Sequence, residues 1–279
     1  MKFVYSLCLA AAVAGLLQSC SISVINDTPT CAGTAEAHAR YGAHRDYEVS
    51  AFERVMVKGN FCVHFVQGDQ YTLHADGMSA QDLQKLTVKC ADGLLQVLDR
   101  RERAKTHPER EPLCLTITMP YVVSMEGRGA TTLYCPKWQQ QQGFSLQVSG
   151  AGLCHFGHVA FGDVSIDCSG AADIDLGTMQ SSSVQMQVSG AVEAKGQVTT
   201  SGRMQSEFSG AANGCFGVKA RDISVQASGA CHVEMDVACA ALSVDGSGAC
   251  GMVLRGTADS TEFHRNGAVS IDTSHLNEQ

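Results

Sequence analysis

The chain has 279 residues, 44% of them hydrophobic and 17% charged, with 28 Gly, 5 Pro and a formal net charge of −8. That much apolar material supports a sizeable core and excludes disorder throughout, and glycines without a three-residue period exclude collagen. Its 20 basic residues form no long run and are outnumbered by 28 acidic ones, which argues against a nucleic-acid or anionic-membrane footprint.

At the N-terminus, Met1-Lys2, an apolar stretch from Phe3 to Leu17 and small residues up to Cys20 have the make-up of a secretory signal. The stretch falls short of the ~18 apolar residues that mark a membrane-spanning helix. Leu17-Gln18-Ser19-Cys20 resembles a bacterial lipobox. On that reading residues 1–19 are removed and Cys20 is acylated, which anchors stably because one residue carries several chains. An ordinary signal with an incidental Cys20 is the alternative. Residues 20–48 mix Ser, Thr, Ala, Gly and His without a period and read as a tether. Thirteen cysteines, less Cys8 and Cys20, leave an odd 11 with no C-x-x-C pair. Neither complete internal pairing nor a zinc site is indicated, so no metal and no cofactor is expected.

Residues 49–125 have strand character without a repeat. Val55, Val57, Phe61, Val63, Phe65, Tyr71 and Leu73 alternate around expected turns at Lys58-Gly59-Asn60 and Gln67-Gly68-Asp69. Leu86 to Cys90, Leu95 to Val97 and Leu113 to Met119 continue the same pattern. Asp99 to Glu111 carries both signs of charge and no apolar side, and reads as a solvated loop. The region is expected to form irregular β coils or a sheet capping one end of the C-terminal repeat region.

From residue 126 to 275 a Ser-Gly-Ala triplet, with degenerate copies at either end, recurs around Gly129, Gly150, Gly170, Gly190, Gly210, Gly229, Gly248 and Gly267. The steps are 21, 20, 20, 20, 19, 19 and 19 residues. Such a period is the mark of a repeat architecture. Two, four and six residues before each glycine lie mostly apolar side chains, as in Val164, Ile166 and Cys168, with polar residues between. Ala172, Ile174 and Leu176 continue the alternation beyond Gly170. Each period therefore holds two short strands meeting at a Gly-Ala corner, one face inward. Two strands cannot bury their apolar side alone, so the units stack, about 4.8 Å apart, into a parallel β-solenoid. Glycine occupies the corner because the bend needs φ > 0 or close backbone approach. Cys154, Cys168, Cys231 and Cys250 fall at interior positions, where small apolar thiols suit a thin core. Cys231 and Cys250 would stack with parallel Cβ vectors about 4.8 Å apart, beyond the usual disulfide reach, which favours free thiols.

Phe52-Glu53-Arg54-Val55 through Val57-Lys58-Gly59, Val63 to Gly68, Gly93-Leu94-Leu95-Gln96-Val97, Met119-Pro120 and the serial triplets resemble the auto-transporter adhesin head, or GIN, domain family of bacterial exported lipoproteins. The resemblance spans roughly residues 50–270. It implies an all-β, right-handed parallel β-helix and supplies no catalytic motif.

The remaining functional candidate is geometric. Gln147, Asp167, Gln187, Glu207, Gln226 and Asp245 share one offset from the corner and should form an outward file of amides and carboxylates. Such a file either recognises a glycan or an extended partner, or keeps the outer face soluble. Asp173 and Asp175 put two carboxylates on one side of a strand, the arrangement a glycan lyase or hydrolase would build upon. Their neighbours Glu193-Ala194-Lys195 and Asn213-Gly214-Cys215 favour a plain polar face instead. Trp138, the single tryptophan, beside Gln139 to Gln142, suits either a sugar platform or a loop packed on the first coil. The expectation is a non-catalytic, lipid-anchored cell-envelope adhesin or scaffold, placed at the outer membrane. The alternative is a glycan-processing enzyme with an acidic site near Asp173 and Asp175.

Overall fold

The structure, a computed structural model, describes residues 41–101 and 111–278. The expected signal, Cys20 and the first part of the tether lie outside the described residues. What is described is a parallel β-solenoid of about eight turns with almost no helix. Its connections join parallel strands of one sheet, for which the right-handed sense is the rule.

The regular body runs through β7 (Ser124–Gln139), β8 (Phe144–Ala160), β9 (Asp163–Ser181), β10 (Ser183–Thr200), β11 (Arg203–Lys219), β12 (Asp222–Gly229), β13 (His232–Gly248), β14 (Gly251–Gly267) and β15 (Ser270–Glu278). Neighbours pair in parallel, and the triplets stack residue on residue: Ser189 on Ser169, Gly190 on Gly170, Ala191 on Ala171. The alternation in β9 becomes a burial alternation, with Val164, Ile166, Cys168, Ala172, Ile174, Leu176 and Met179 all inside. Cys154, Cys231 and Cys250 are buried there as well, and with Cys168 they are free thiols. Cys231 Sγ donates to the Ser228 carbonyl at 3.0 Å and Cys250 Sγ to the Ser247 carbonyl at 2.9 Å. Burial pushes the Cys168 thiol up to about 12, so it stays protonated in the core.

The glycine column explains why the chain bends where it does. From Gly129 to Gly267 the corner glycines have φ between 83° and 106°. A Cβ at any of them would stand 2.3–2.9 Å from the carbonyl oxygen of the glycine one coil earlier. Both the backbone conformation and the space exclude a side chain.

The N-terminal region differs from expectation in an informative way. Lys58-Gly59-Asn60 is not a turn between strands. Gly59, at φ 145°, lies inside the continuous β2 (Arg54–Gln67) and pairs with Gly129, so it heads the same column. β2 is thus a further coil, hidden from the repeat because the cap is inserted between it and β7. One half of β2 pairs in parallel with β5 (Leu94–Asp99), itself antiparallel to β4 (Leu86–Ala91). The other half pairs with β6 (Leu113–Met119), beyond which lie antiparallel β3 (Thr72–Gly77) and β1 (Ala43–Tyr47). These added strands cover what would be an open end. β1 falls within the stretch expected to be tether. A short helix, α1 (Ala80–Gln84), is capped by Ser79, whose hydroxyl oxygen accepts from the Asp82 amide at 3.2 Å.

Within the charged stretch from Asp99 to Glu111, Asp99 and Arg101 depart from the expected solvated loop. Residues 102–110 lie outside the described residues, but Arg101 and Asp99 are buried at 6% and 7% side-chain exposure, with Nη2 to Oδ2 at 2.8 Å. Arg101 Nε donates to both Asp99 oxygens at 3.0 and 3.1 Å. Two-pronged pairing lets both charges leave water. At the far end Arg265 is exposed, as expected of a final coil, and Phe263, Val269, Ile271 and Leu276 are only half-buried.

Candidate functional site

The predicted polar file exists as a geometric object. Gln147 pairs with Asp167, Asp167 with Gln187, Gln187 with Glu207, Glu207 with Gln226 and Gln226 with Asp245. All six side chains are exposed. They stand on β8 through β13 because they occupy the outward parity of the strand leading into each glycine corner, and five strand spacings make the row about 24 Å long. Ser149, Ser169, Ser189, Ser209, Ser228 and Ser247 run beside it in the same register. From Ser145 to Ser247 the outward positions in the five residues before each corner are hydroxyls, amides and carboxylates, without a cation. An open depression of about 720 Å³ adjoins the row towards the C-terminal end, lined by Arg203, Asp222, Ser224, Ser243, Thr261 and Glu262 among others. A flat row of this kind offers repeated hydrogen bonds at a fixed pitch.

On the other side of the corner the surface is a shallow, open groove of about 700 Å³, floored by Ala151, Ala171, Ala191 and Ala211 and edged by Asp173 and Glu193. Burial, seconded by the charge of Glu193, pushes the Asp173 carboxyl above its usual range. Asp175 is otherwise engaged: its Oδ1 accepts from the Gly177 amide at 2.9 Å, and its Oδ2 faces His155 Nδ1 at 3.5 Å and Lys195 Nζ at 4.0 Å. Asp173 and Glu193 are register partners, so both project from the same side of one sheet. Trp138 is neither platform nor loop residue. It lies in β7 at 1% exposure, and its Nε1 donates to Gln140 Oε1 at 2.7 Å. The Gln140 amide in turn donates to the Val122 carbonyl at 2.7 Å, so Gln140 is structural.

A third constellation escaped the sequence, since its members are 52 positions apart in their outermost pair: Cys62, His64 and Cys114, all buried, with their ligand atoms within 4.8 Å of one another. Cys62 and Cys114 are register partners on β2 and β6. The Cys62 hydrogen bond, together with His64, brings the Cys114 thiol down to about 6, against burial and the Asp76 charge. No C-x-x-C spacing announces the group, because the strand pairing rather than the local chain supplies the second thiol. The signal available was the Cys-x-His parity in β2.

A comparison with protein families finds the description "Putative auto-transporter adhesin, head GIN domain" matching residues 51–216. The chain belongs to this family. The GIN-domain match covers the cap other than β1 and the solenoid as far as β11. Among curated proteins none matches the sequence. Solved structures do: a putative adhesin from Parabacteroides distasonis ATCC 8503 is similar at TM-score 0.71 and 10% identity. A putative adhesin from Bacteroides fragilis NCTC 9343 has TM-score 0.58 and 13% identity. A putative lipid binding protein from Parabacteroides distasonis ATCC 8503 has TM-score 0.57 and 12% identity. Each alignment covers 82% of this chain and 95% of the other. At such identities the likeness is one of fold.

Proposed function

We propose that this GIN-domain chain is a non-catalytic cell-envelope protein, anchored through an acylated Cys20, that binds a glycan or an extended envelope polymer along the row from Gln147 to Asp245. The observation that carries the reading is the six exposed side chains held in unbroken register on rigid strands. A polymer with evenly spaced hydroxyls or amides gains hydrogen bonds at several rungs, and because the strands are already ordered, little entropy is lost on binding. The adhesin descriptions of the family and of two structural neighbours support this reading. The engagement of Asp175 by the Gly177 amide, His155 and Lys195 weighs against the glycan-processing alternative near Asp173 and Asp175.

A glycan array probed with the mature protein tests the idea. The double variant Gln187→Arg, Glu207→Arg should lose at least about tenfold in affinity for any glycan bound by the parent, about 1.4 kcal/mol, with an unchanged circular dichroism spectrum. Equal binding by parent and variant would remove the row from consideration. The anchor is tested separately: Cys20→Ala should move the protein from the membrane to the soluble fraction, and unaltered partitioning would sink the lipoprotein assignment.

A further inference from the structure

Along the solenoid, the outward position three residues beyond the glycine corner is solvent-exposed at Leu153, Asp173, Glu193, Asn213 and His232, and half-buried at Thr132 and Gly251. In the first coil that same position is Cys62, three residues after Gly59, and it is 2% exposed. Cys114, its partner on β6, is 2% exposed, and His64, two residues further on the same face, is 8% exposed. Three donors are thus withdrawn from water on a face that opens to solvent from Leu153 onward. They converge: Cys62 Sγ and His64 Nε2 are 3.5 Å apart, and both lie within 4.8 Å of Cys114 Sγ. Zinc–sulfur and zinc–nitrogen bonds of about 2.3 and 2.0 Å at a tetrahedral angle put the two ligand atoms about 3.5 Å from each other. The Cys62–His64 spacing already matches that separation, and Cys114 Sγ lies within 4.8 Å of both atoms. The Tyr134 ring stacks on His64, with centroids 5.0 Å apart and planes 11° from parallel, and so fixes the imidazole plane.

We propose that Cys62, His64 and Cys114 form a binding site for a thiophilic d10 metal ion, with zinc(II) as the occupant. Two thiols and an imidazole are the soft donor set that selects zinc or copper(I) over magnesium and calcium. The neighbouring carboxylate decides between those two. Asp76 is the register partner of Cys114 on β3, on the same face, and is 4% exposed. His74 Nε2 holds its Oδ1 at 3.2 Å, the kind of outer hydrogen bond that orients a ligating carboxylate. A hard oxygen on the strand beside Cys114 suits zinc and not copper(I). A disulfide between Cys62 and Cys114 is disfavoured because register partners on parallel strands hold their Cβ atoms about 4.8 Å apart. The ion would tie β6, and through it β3 and β1, to the first coil of the solenoid.

The mature protein, purified under reductant and stripped with a chelator, is titrated with zinc(II), with copper(I), and with cobalt(II) as a spectroscopic stand-in. The site predicts saturation at a single tightly held zinc per chain and a thiolate-to-cobalt charge-transfer band that added zinc bleaches. Cys62→Ser, Cys114→Ser and His64→Gln should each weaken zinc by about 100-fold or more, since loss of a mere outer-shell partner already costs about 10–100-fold. Cys250→Ser, in the regular core, should leave the titration unchanged. The wild-type cobalt spectrum needs no variant to fold. Lack of the charge-transfer band would overturn the proposal, as would binding that survives all three substitutions. Preference for copper(I) over zinc would overturn the choice of ion, and a Cys62–Cys114 disulfide in the untreated protein would overturn the site.

Discussion

Replacing Gly190 by valine should lower the stability of the solenoid by at least about 3 kcal/mol, read as a fall in melting temperature of roughly 10 °C. Two costs add at this position. Its φ of 103° lies outside the conformations open to a side chain, a penalty of about 1–2 kcal/mol. A Cβ there would also stand 2.3 Å from the Gly170 carbonyl oxygen, and both atoms belong to the stacked backbone, where neither can step aside. Gly190→Ala should bring most of the same loss, because the first carbon already makes the collision. Alanine at Gly143, where φ is not positive and a Cβ would meet the Asp163 carbonyl oxygen at 3.3 Å, should cost far less. Thermal denaturation monitored by circular dichroism measures all three. An unchanged melting temperature for Gly190→Val would refute the corner assignment.

The second large effect is expected at the cap. Arg101→Leu should destabilise by about 3–5 kcal/mol, because it leaves the Asp99 carboxylate buried without its partner. The loss exceeds that of a surface ion pair, whose median worth is about 0–1 kcal/mol. Arg101 further donates to the Glu111 carbonyl at 3.3 Å and the Asn60 carbonyl at 3.5 Å, so its removal also loosens the approach of β6 to the corner of the first coil. The double variant Asp99→Leu, Arg101→Leu should recover much of the loss, since no buried charge then remains unpaired and Asp82, which faces Arg101 Nη1 at 3.8 Å, is partly exposed to water. Chemical denaturation of the two variants beside the parent separates the cases. A double variant no better than the single would show that the guanidinium serves packing alone.

How far the structure could be read in advance differs between the two halves. From Gly129 onward the period, the corner and the inward parity are all written locally, since each coil repeats the same instruction to the same neighbour. Even the interior cysteines obey that parity. The cap carries no such redundancy. Gly59 belongs to the column, yet its partner Gly129 is 70 positions away and the intervening strands conceal the step. Arg101 reads as a solvated charge because nothing nearby in the chain announces that Asp99 will share its burial. Trp138 and Gln140 likewise satisfy each other two positions apart, but only burial makes that bond matter.

The polar row was legible down to its members, because outward parity and an even repeat suffice to place side chains one strand spacing apart. The Cys62, His64 and Cys114 cluster was not, since it depends on which strand lies beside β2. The chain by itself determined a wound ribbon with glycine bends and a polar outer side, because short-range alternation and stacking of like on like need only local information. Tertiary structure alone decided where charge and sulfur are withdrawn from water, because burial of a polar group depends on partners brought in by distant, non-repeating strands.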